Sequence, residues 1–173
     1  MCHSFRRHDV ATIVRIRETD PNLATAVLDG GATGVIRVID GATCTLLYNV
    51  GAQLNGCNPP AIADLDRDGT PEIVAHTGLG GVVAYSYDDT QDTFVQHCAG
   101  GLSFSAQATG WAGPSIYDLD DDGYPEILTG GITYDHQCNV LDQSVGLTGH
   151  MYYGAGYPVV GDLDGVPDGQ GVP

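Results

Sequence analysis

The sequence predicts an all-β chain, and three observations carry that prediction. Apolar and polar residues alternate with period two between clusters of Gly, Asp and Asn. No segment shows the 3.6-residue apolar stripe of a helix. One acidic loop occurs twice in near-copy, each time followed at once by an apolar, β-branched run. Taken in order, strands are expected over 11–17, 23–28, 34–40, 44–50, 60–64, 72–76, 81–87, 93–97, 114–118, 126–130, 150–153 and 158–162. The pair Asp40-Gly41 between Val35-Ile36-Arg37-Val38-Ile39 and Cys44-Thr45-Leu46-Leu47-Tyr48 marks a hairpin.

The repeated loop reads Asp64-Leu65-Asp66-Arg67-Asp68-Gly69-Thr70-Pro71-Glu72 and Asp118-Leu119-Asp120-Asp121-Asp122-Gly123-Tyr124-Pro125-Glu126. Carboxylates at positions one, three and five turn inward while Leu65 packs toward the sheet. The glycine at six permits the positive φ of a tight loop. With the carbonyl of Thr70 or Tyr124 and the acid at nine, each loop offers the hard oxygens that Ca²⁺ takes, about six to eight once water is added. Two like charges 4 Å apart repel by about 1 kcal/mol in water and about 4 kcal/mol at an effective dielectric near 20. A loop this acidic is therefore destabilised until a cation enters it. An EF-hand is excluded, because it needs an acid at position twelve between helices, and position twelve here is Ala75 or Thr129 in strand-like sequence. A third, degenerate copy spans 162–168 with Asp162, Asp164 and Asp168. It lacks the acid at five and the normal glycine spacing, and reads equally as a weak site or a plain turn.

The spacing of the copies sets the architecture. Asp118 follows Asp64 by 54 positions and Asp162 follows Asp118 by 44. Periods of roughly 40 to 50 residues with about four strands each predict β-propeller-like blades of antiparallel strands. The segment from Val38 to Leu47 echoes the segment from Thr133 to Leu141 at the corresponding place in the unit. Residues 1–22 form an N-terminal segment with the option of belonging to a preceding blade, and 23–173 hold about three repeats. Closed propellers have about 4–8 blades. The expectation is thus an incomplete propeller: a fragment of a longer protein, or a piece completed by further chains.

Composition narrows the function. The 173 residues carry a formal charge of −16, with no lysine, and with no lysine or arginine after Arg67. Such a surface repels nucleic acid and suits divalent cations. No apolar run approaches the roughly 18 residues of a membrane span. The start MCHSFRRHDV has no apolar segment behind it and does not read as a signal peptide. Of five cysteines, none forms a CxxC pair. In an oxidising compartment Cys44–Cys57 is the first disulfide expected and Cys98–Cys138 the second, leaving Cys2 unpaired.

At Pro60–Ala75 and Pro114–Gly131, and partly at Pro158–Asp168, the chain resembles the FG-GAP and VCBS repeat family of integrin-α-like calcium-binding propellers. The resemblance covers roughly residues 30–168. It implies loops seated between two blade strands that hold calcium structurally, and a secreted or surface protein serving adhesion, assembly or as an appendage to an enzyme.

No catalytic constellation accompanies the loops. The histidines His3, His8, His76, His97, His136 and His150 form no ligand motif, and His76 reads as a packed residue. Ser103, Ser105 and Ser115 sit in no nucleophile elbow. The pairs Asp64/Asp66 and Asp118/Asp120 imitate an acid–base pair, but the cage explains them better. Trp111, Tyr117, Tyr124, Tyr152, Tyr153 and Tyr157 would suit a glycan- or protein-binding surface, although packing between blades explains them at least as well; Tyr85 and Tyr87 read as packing. The function expected is a non-enzymatic, extracellular, calcium-binding repeat with a structural, adhesive or self-assembly role. Its partners would be copies of itself, further blades, or a glycan or surface protein. The alternatives are the propeller portion of a larger secreted enzyme, and a glycan- or protein-binding module.

Overall fold

The computed structural model describes residues 10–14, 24–29, 34–41, 43–56, 58–78, 80–101, 113–129, 131–143 and 158–161. Within them lie twelve strands in three four-stranded sheets. The first contains β1 (Val10–Val14), β2 (Ala24–Asp29), β3 (Gly34–Asp40) and β4 (Leu46–Leu54). The second contains β5 (Ala61–Ala63), β6 (Glu72–His76), β7 (Val82–Asp88) and β8 (Thr93–Gly100). The third contains β9 (Ser115–Tyr117), β10 (Glu126–Leu128), β11 (Ile132–Tyr134) and β12 (Val140–Gln143). Each sheet is an antiparallel meander in sequence order. The leading strands sit side by side, β1 near β5 and β5 near β9. The described residues are thus three like units placed next to one another; they do not close a ring.

Period-two alternation explains how the units stack. On β6, Ile73 and Ala75 face the first sheet, where they join Ile36, Val38, Val50, Leu54 and Val83 in one core. Val74 points the other way, into a second core with Leu65, Val82, Ala84, Ile127, Ile132 and Tyr134. The middle sheet is therefore apolar on both faces, and every residue of β6 is buried. Each fully buried Ile, Leu or Val adds about 1.5–3 kcal/mol of transfer free energy. Main-chain bonds tie the first two sheets together where β4 ends: Leu54 bridges Thr77, Asn55 N–H donates to the His76 carbonyl at 2.9 Å, and Gly78 N–H donates to the Gln53 carbonyl at 2.7 Å.

The turn between third and fourth strands recurs in all three sheets. Asp40 Oδ1 accepts from Thr43 N–H at 2.8 Å, Asp88 Oδ1 from Thr90 N–H at 2.8 Å, and Asp135 Oδ1 from Gln137 N–H at 2.9 Å. Each turn then holds one residue in the left-handed region: Cys44 (φ 60°), Asp92 (φ 52°) and Cys138 (φ 64°). A disulfide joins Cys98 on β8 to Cys138, with Cα atoms 5.7 Å apart, so it crosses from the second sheet to the third. Cys44 is also disulfide-bonded; its expected partner Cys57 lies outside the described residues.

Sequence and structure differ in several places: β4 runs Leu46–Leu54 where 44–50 is expected, and β10 stops at Leu128 where the expected strand runs to 130. β11 and β12 escape the sequence reading because they are only three and four residues long, too short to show alternation. The strand expected over 158–162 is not formed over 158–161; Pro158 has no N–H to give a ladder, and its carbonyl instead accepts from Ser115 Oγ at 2.7 Å. β8 continues to Gly100, beyond the expected end at 97, because its pairing with β7 runs to Val82. The strand expected over 150–153 and residues 15–17 of the first lie outside the described residues.

Candidate metal centre

Both acidic loops connect the first strand of a sheet to its second, β5 to β6 and β9 to β10. They agree bond by bond. The position-one carboxylate accepts from the position-six glycine N–H: Asp64 Oδ2 from Gly69 at 3.0 Å, and Asp118 Oδ2 from Gly123 at 2.8 Å. The position-three carboxylate accepts from the N–H at five, at 3.2 Å in both loops. The position-five carboxylate accepts from the N–H at seven: Asp68 from Thr70 at 2.6 Å, and Asp122 from Tyr124 at 2.7 Å. The acid at nine reaches back to the N–H at two, Glu72 to Leu65 and Glu126 to Leu119, each at 2.7 Å. Four carboxylates thus close each loop on itself, as Asx turns do singly elsewhere.

The backbone agrees as well. Gly69 and Gly123 have φ of 89° and 91°, as position six requires. Position four is also left-handed, Arg67 at 64° and Asp121 at 58°, a feature that the glycine pattern does not announce. Aspartate tolerates that region; arginine does so less readily.

These bonds bring one oxygen each from Asp64, Asp66 and Asp68 within 4.8 Å of one another, and the same holds for Asp118, Asp120 and Asp122. In both loops the other position-one oxygen, Asp64 Oδ1 and Asp118 Oδ1, is buried without a hydrogen-bond partner. An orphaned carboxylate oxygen in a dry position costs free energy unless something positive meets it. The donor set is all oxygen and anionic, which fits a hard divalent cation. Thr70 and Tyr124 follow the glycine at position seven in both loops.

Glu72 and Glu126 stand behind these trios. Glu72 is fully buried, and its second oxygen accepts from Ser86 Oγ at 2.8 Å. Burial raises the affinity of both carboxyls for a proton, and the N–H bonds from Leu65 and Leu119 work against that. Each carboxylate has about four lone-pair positions, so bracing the loop leaves capacity for a further contact. The first loop has a nitrogen neighbour that sequence reasoning missed: His97 on β8 places Nδ1 3.8 Å from Asp66 Oδ2, and the two form a group with Glu72. Only the sheet pairing brings His97 there. Asp162, Asp164 and Asp168 of the third copy lie outside the described residues.

Of the other described candidates, most are placed in packing and Tyr117 is not. Tyr87 meets Tyr48 and Phe94 edge-on at 5.6 and 5.3 Å, with Asp92 accepting from the Tyr48 hydroxyl at 2.9 Å. Tyr85 packs against the first core. Tyr124 stacks on His136 with ring centroids 4.6 Å apart. Tyr117 is half exposed. His76 is buried, its Nδ1 has no partner, and burial pushes its pKa down to about 4. Trp111, Tyr152, Tyr153 and Tyr157 lie outside the described residues.

Residues 64–129 match the model of the FG-GAP-like repeat, a span that begins at the first acidic loop and ends just past the second. Repeats of this kind are non-catalytic, in keeping with the expectation that the chain is not an enzyme. Among solved structures, the chain is similar to the crystal structure of the V. cholerae biofilm matrix protein Bap1, with 18% identity and a TM-score of 0.34. That match covers 78% of this chain and 30% of the other, so the chain spans less than a third of that protein's length. No curated protein matches the chain.

Proposed function

We propose, from the FG-GAP-like repeat that the chain carries over residues 64–129, that it is a non-enzymatic, extracellular, calcium-stabilised propeller segment with a structural, adhesive or assembly role. The observation that carries this reading is the pair of matching loops, each leaving one buried position-one oxygen, Asp64 Oδ1 or Asp118 Oδ1, unpartnered. In the proposed sites Asp64, Asp66, Asp68, the Thr70 carbonyl and Glu72 hold one Ca²⁺, and Asp118, Asp120, Asp122, the Tyr124 carbonyl and Glu126 hold another. Bound calcium neutralises the crowded carboxylates and locks the connection between first and second strands. It does not activate water. The Cys98–Cys138 disulfide and the calcium chemistry both suit the extracellular medium.

The assembly part of the proposal rests on an asymmetry between equivalent residues. Leu65, at position two of the first loop, is 0% exposed because the third sheet covers it. Leu119, at position two of the second loop, is 46% exposed, alongside Tyr117 at 46% and Leu141 at 58%. A further blade, from a longer chain or from another copy, would cover this face as the third sheet covers Leu65. Size by light scattering and melting temperature in calcium and in chelator test the proposal together. A calcium-dependent melt with self-association supports it; an identical melt in both media refutes the calcium role, and a strict monomer in calcium refutes self-assembly.

A further inference from the structure

Arg67 occupies position four of the first loop, yet its guanidinium serves the second. It stands 5.5 Å from the centroid of the Tyr124 ring and packs against Gly123, where an added Cβ would collide with Nη1. The matching glycine of the first loop, Gly69, has open space at the same point. Tyr124 in turn stacks on His136, in the turn between β11 and β12, with an interplanar angle of 27°. A continuous contact therefore runs from the first acidic loop through Arg67 into positions six and seven of the second.

We infer that Arg67 couples the two loops, so that a cation seated in the first strengthens cation binding by the second. The inference rests on the cation-binding reading above. Arginine adopts the left-handed conformation reluctantly, and Arg67 is held there between Asp66 and Asp68, whose carboxylates converge with that of Asp64. A cation balances the repulsion and fixes this arrangement; an empty loop relaxes it and withdraws the guanidinium from Tyr124. Tyr124 N–H is the donor that holds the Asp122 carboxylate at 2.7 Å, so a shift of Tyr124 disturbs the second trio. The strength of an exposed cation–π contact corresponds to about a two- to fivefold change in affinity. By linkage the second loop strengthens the first by the same factor.

The charge of Arg67 also repels an ion in the second loop, so the test is a double-mutant cycle rather than a single substitution. The probe is terbium, followed by calcium competition, on the full chain; luminescence sensitised by Tyr124 reports the second loop, since the first has Thr70 at that position. Disabling the first loop with D66N/D68N is expected to weaken the second about two- to fivefold, and the same change in an R67Q background is expected to leave it unaltered. R67G serves as a second background, because glycine suits the left-handed position and guards against a misfolded loop. Unchanged affinity in the otherwise native chain, or equal weakening with and without Arg67, overturns the coupling while leaving the cation sites standing. Absence of terbium and calcium binding at both loops overturns the cation reading, and the coupling with it.

Discussion

Replacing the position-one aspartate of either loop by asparagine should stabilise the metal-free protein and destabilise the calcium-loaded one. Without metal, Asp64 faces Asp66 and Asp68 with carboxylate oxygens within 4.8 Å. A pair at that distance repels by about 0.9 kcal/mol in water and about 3.5 kcal/mol at an effective dielectric of 20. The loop is partly exposed, so the lower end applies, and Asp64→Asn should remove about 1–2 kcal/mol of repulsion. The amide keeps an oxygen for Gly69 N–H and puts a donor where the orphaned Oδ1 stood. With calcium the sign reverses, because the amide lacks the carboxylate's charge and puts an NH₂ donor where the free Oδ1 would meet the ion. At calcium a hundredfold above the dissociation constant, one site contributes about 2.7 kcal/mol. For a domain of this size that is about 5–11 °C in melting temperature. Thermal melts of Asp64→Asn and Asp118→Asn, each in calcium and in chelator, give the assay. A loss of stability equal in both media would refute the reasoning and reduce the position-one carboxylate to a brace for the loop.

Three further outcomes follow from the packing. Leu65→Ala should cost about 2–5 kcal/mol as a core truncation, whereas Leu119→Ala at the equivalent but half-exposed position should cost less than about 1 kcal/mol in the monomer; urea titrations of the two variants check this, and equal losses would contradict the exposed third-sheet face. Removing the Cys98–Cys138 bridge, which closes a separation of 40 residues, should destabilise by about 4 kcal/mol in the chain-entropy model, read from denaturant midpoints of the Cys98→Ser/Cys138→Ser variant. His76 has a folded pKa of about 4, below its unfolded value near 6.5, so its contribution is fully present above pH 6.5 and is lost as pH falls toward 4. The loss should reach about 3 kcal/mol, and His76→Gln should remove that part of the pH dependence in melts run between pH 4 and 7.

Much of this molecule is legible along the chain because its repeat is local. The loops at 64–72 and 118–126 bring their carboxylates together within nine residues, so spacing alone places the trios, and the β-branched run after each acid at nine gives β6 and β10. Asp40-Gly41 gives the β3–β4 hairpin by turn chemistry. What escapes is whatever needs the sheets placed first. His97 nears Asp66 only because β8 pairs with β7. Arg67 meets Tyr124 only because the third sheet covers Leu65. The sign that pointed to Arg67 was present, since it is the last lysine or arginine of the chain and lies inside an acidic loop, but its partner is 57 residues away in sequence. The left-handed backbone at Arg67 and Asp121 is hidden for a different reason: neither position holds glycine, and it is the hydrogen bonds of the flanking aspartates that force the turn.

Calcium stoichiometry tests the central claim most directly. Isothermal titration of the chelator-stripped chain should give at least two calcium ions per chain, with one lost in Asp64→Asn/Asp66→Asn and a different one lost in Asp118→Asn/Asp120→Asn. A calcium stoichiometry unchanged in both double substitutions, or no binding by the intact chain, would contradict it.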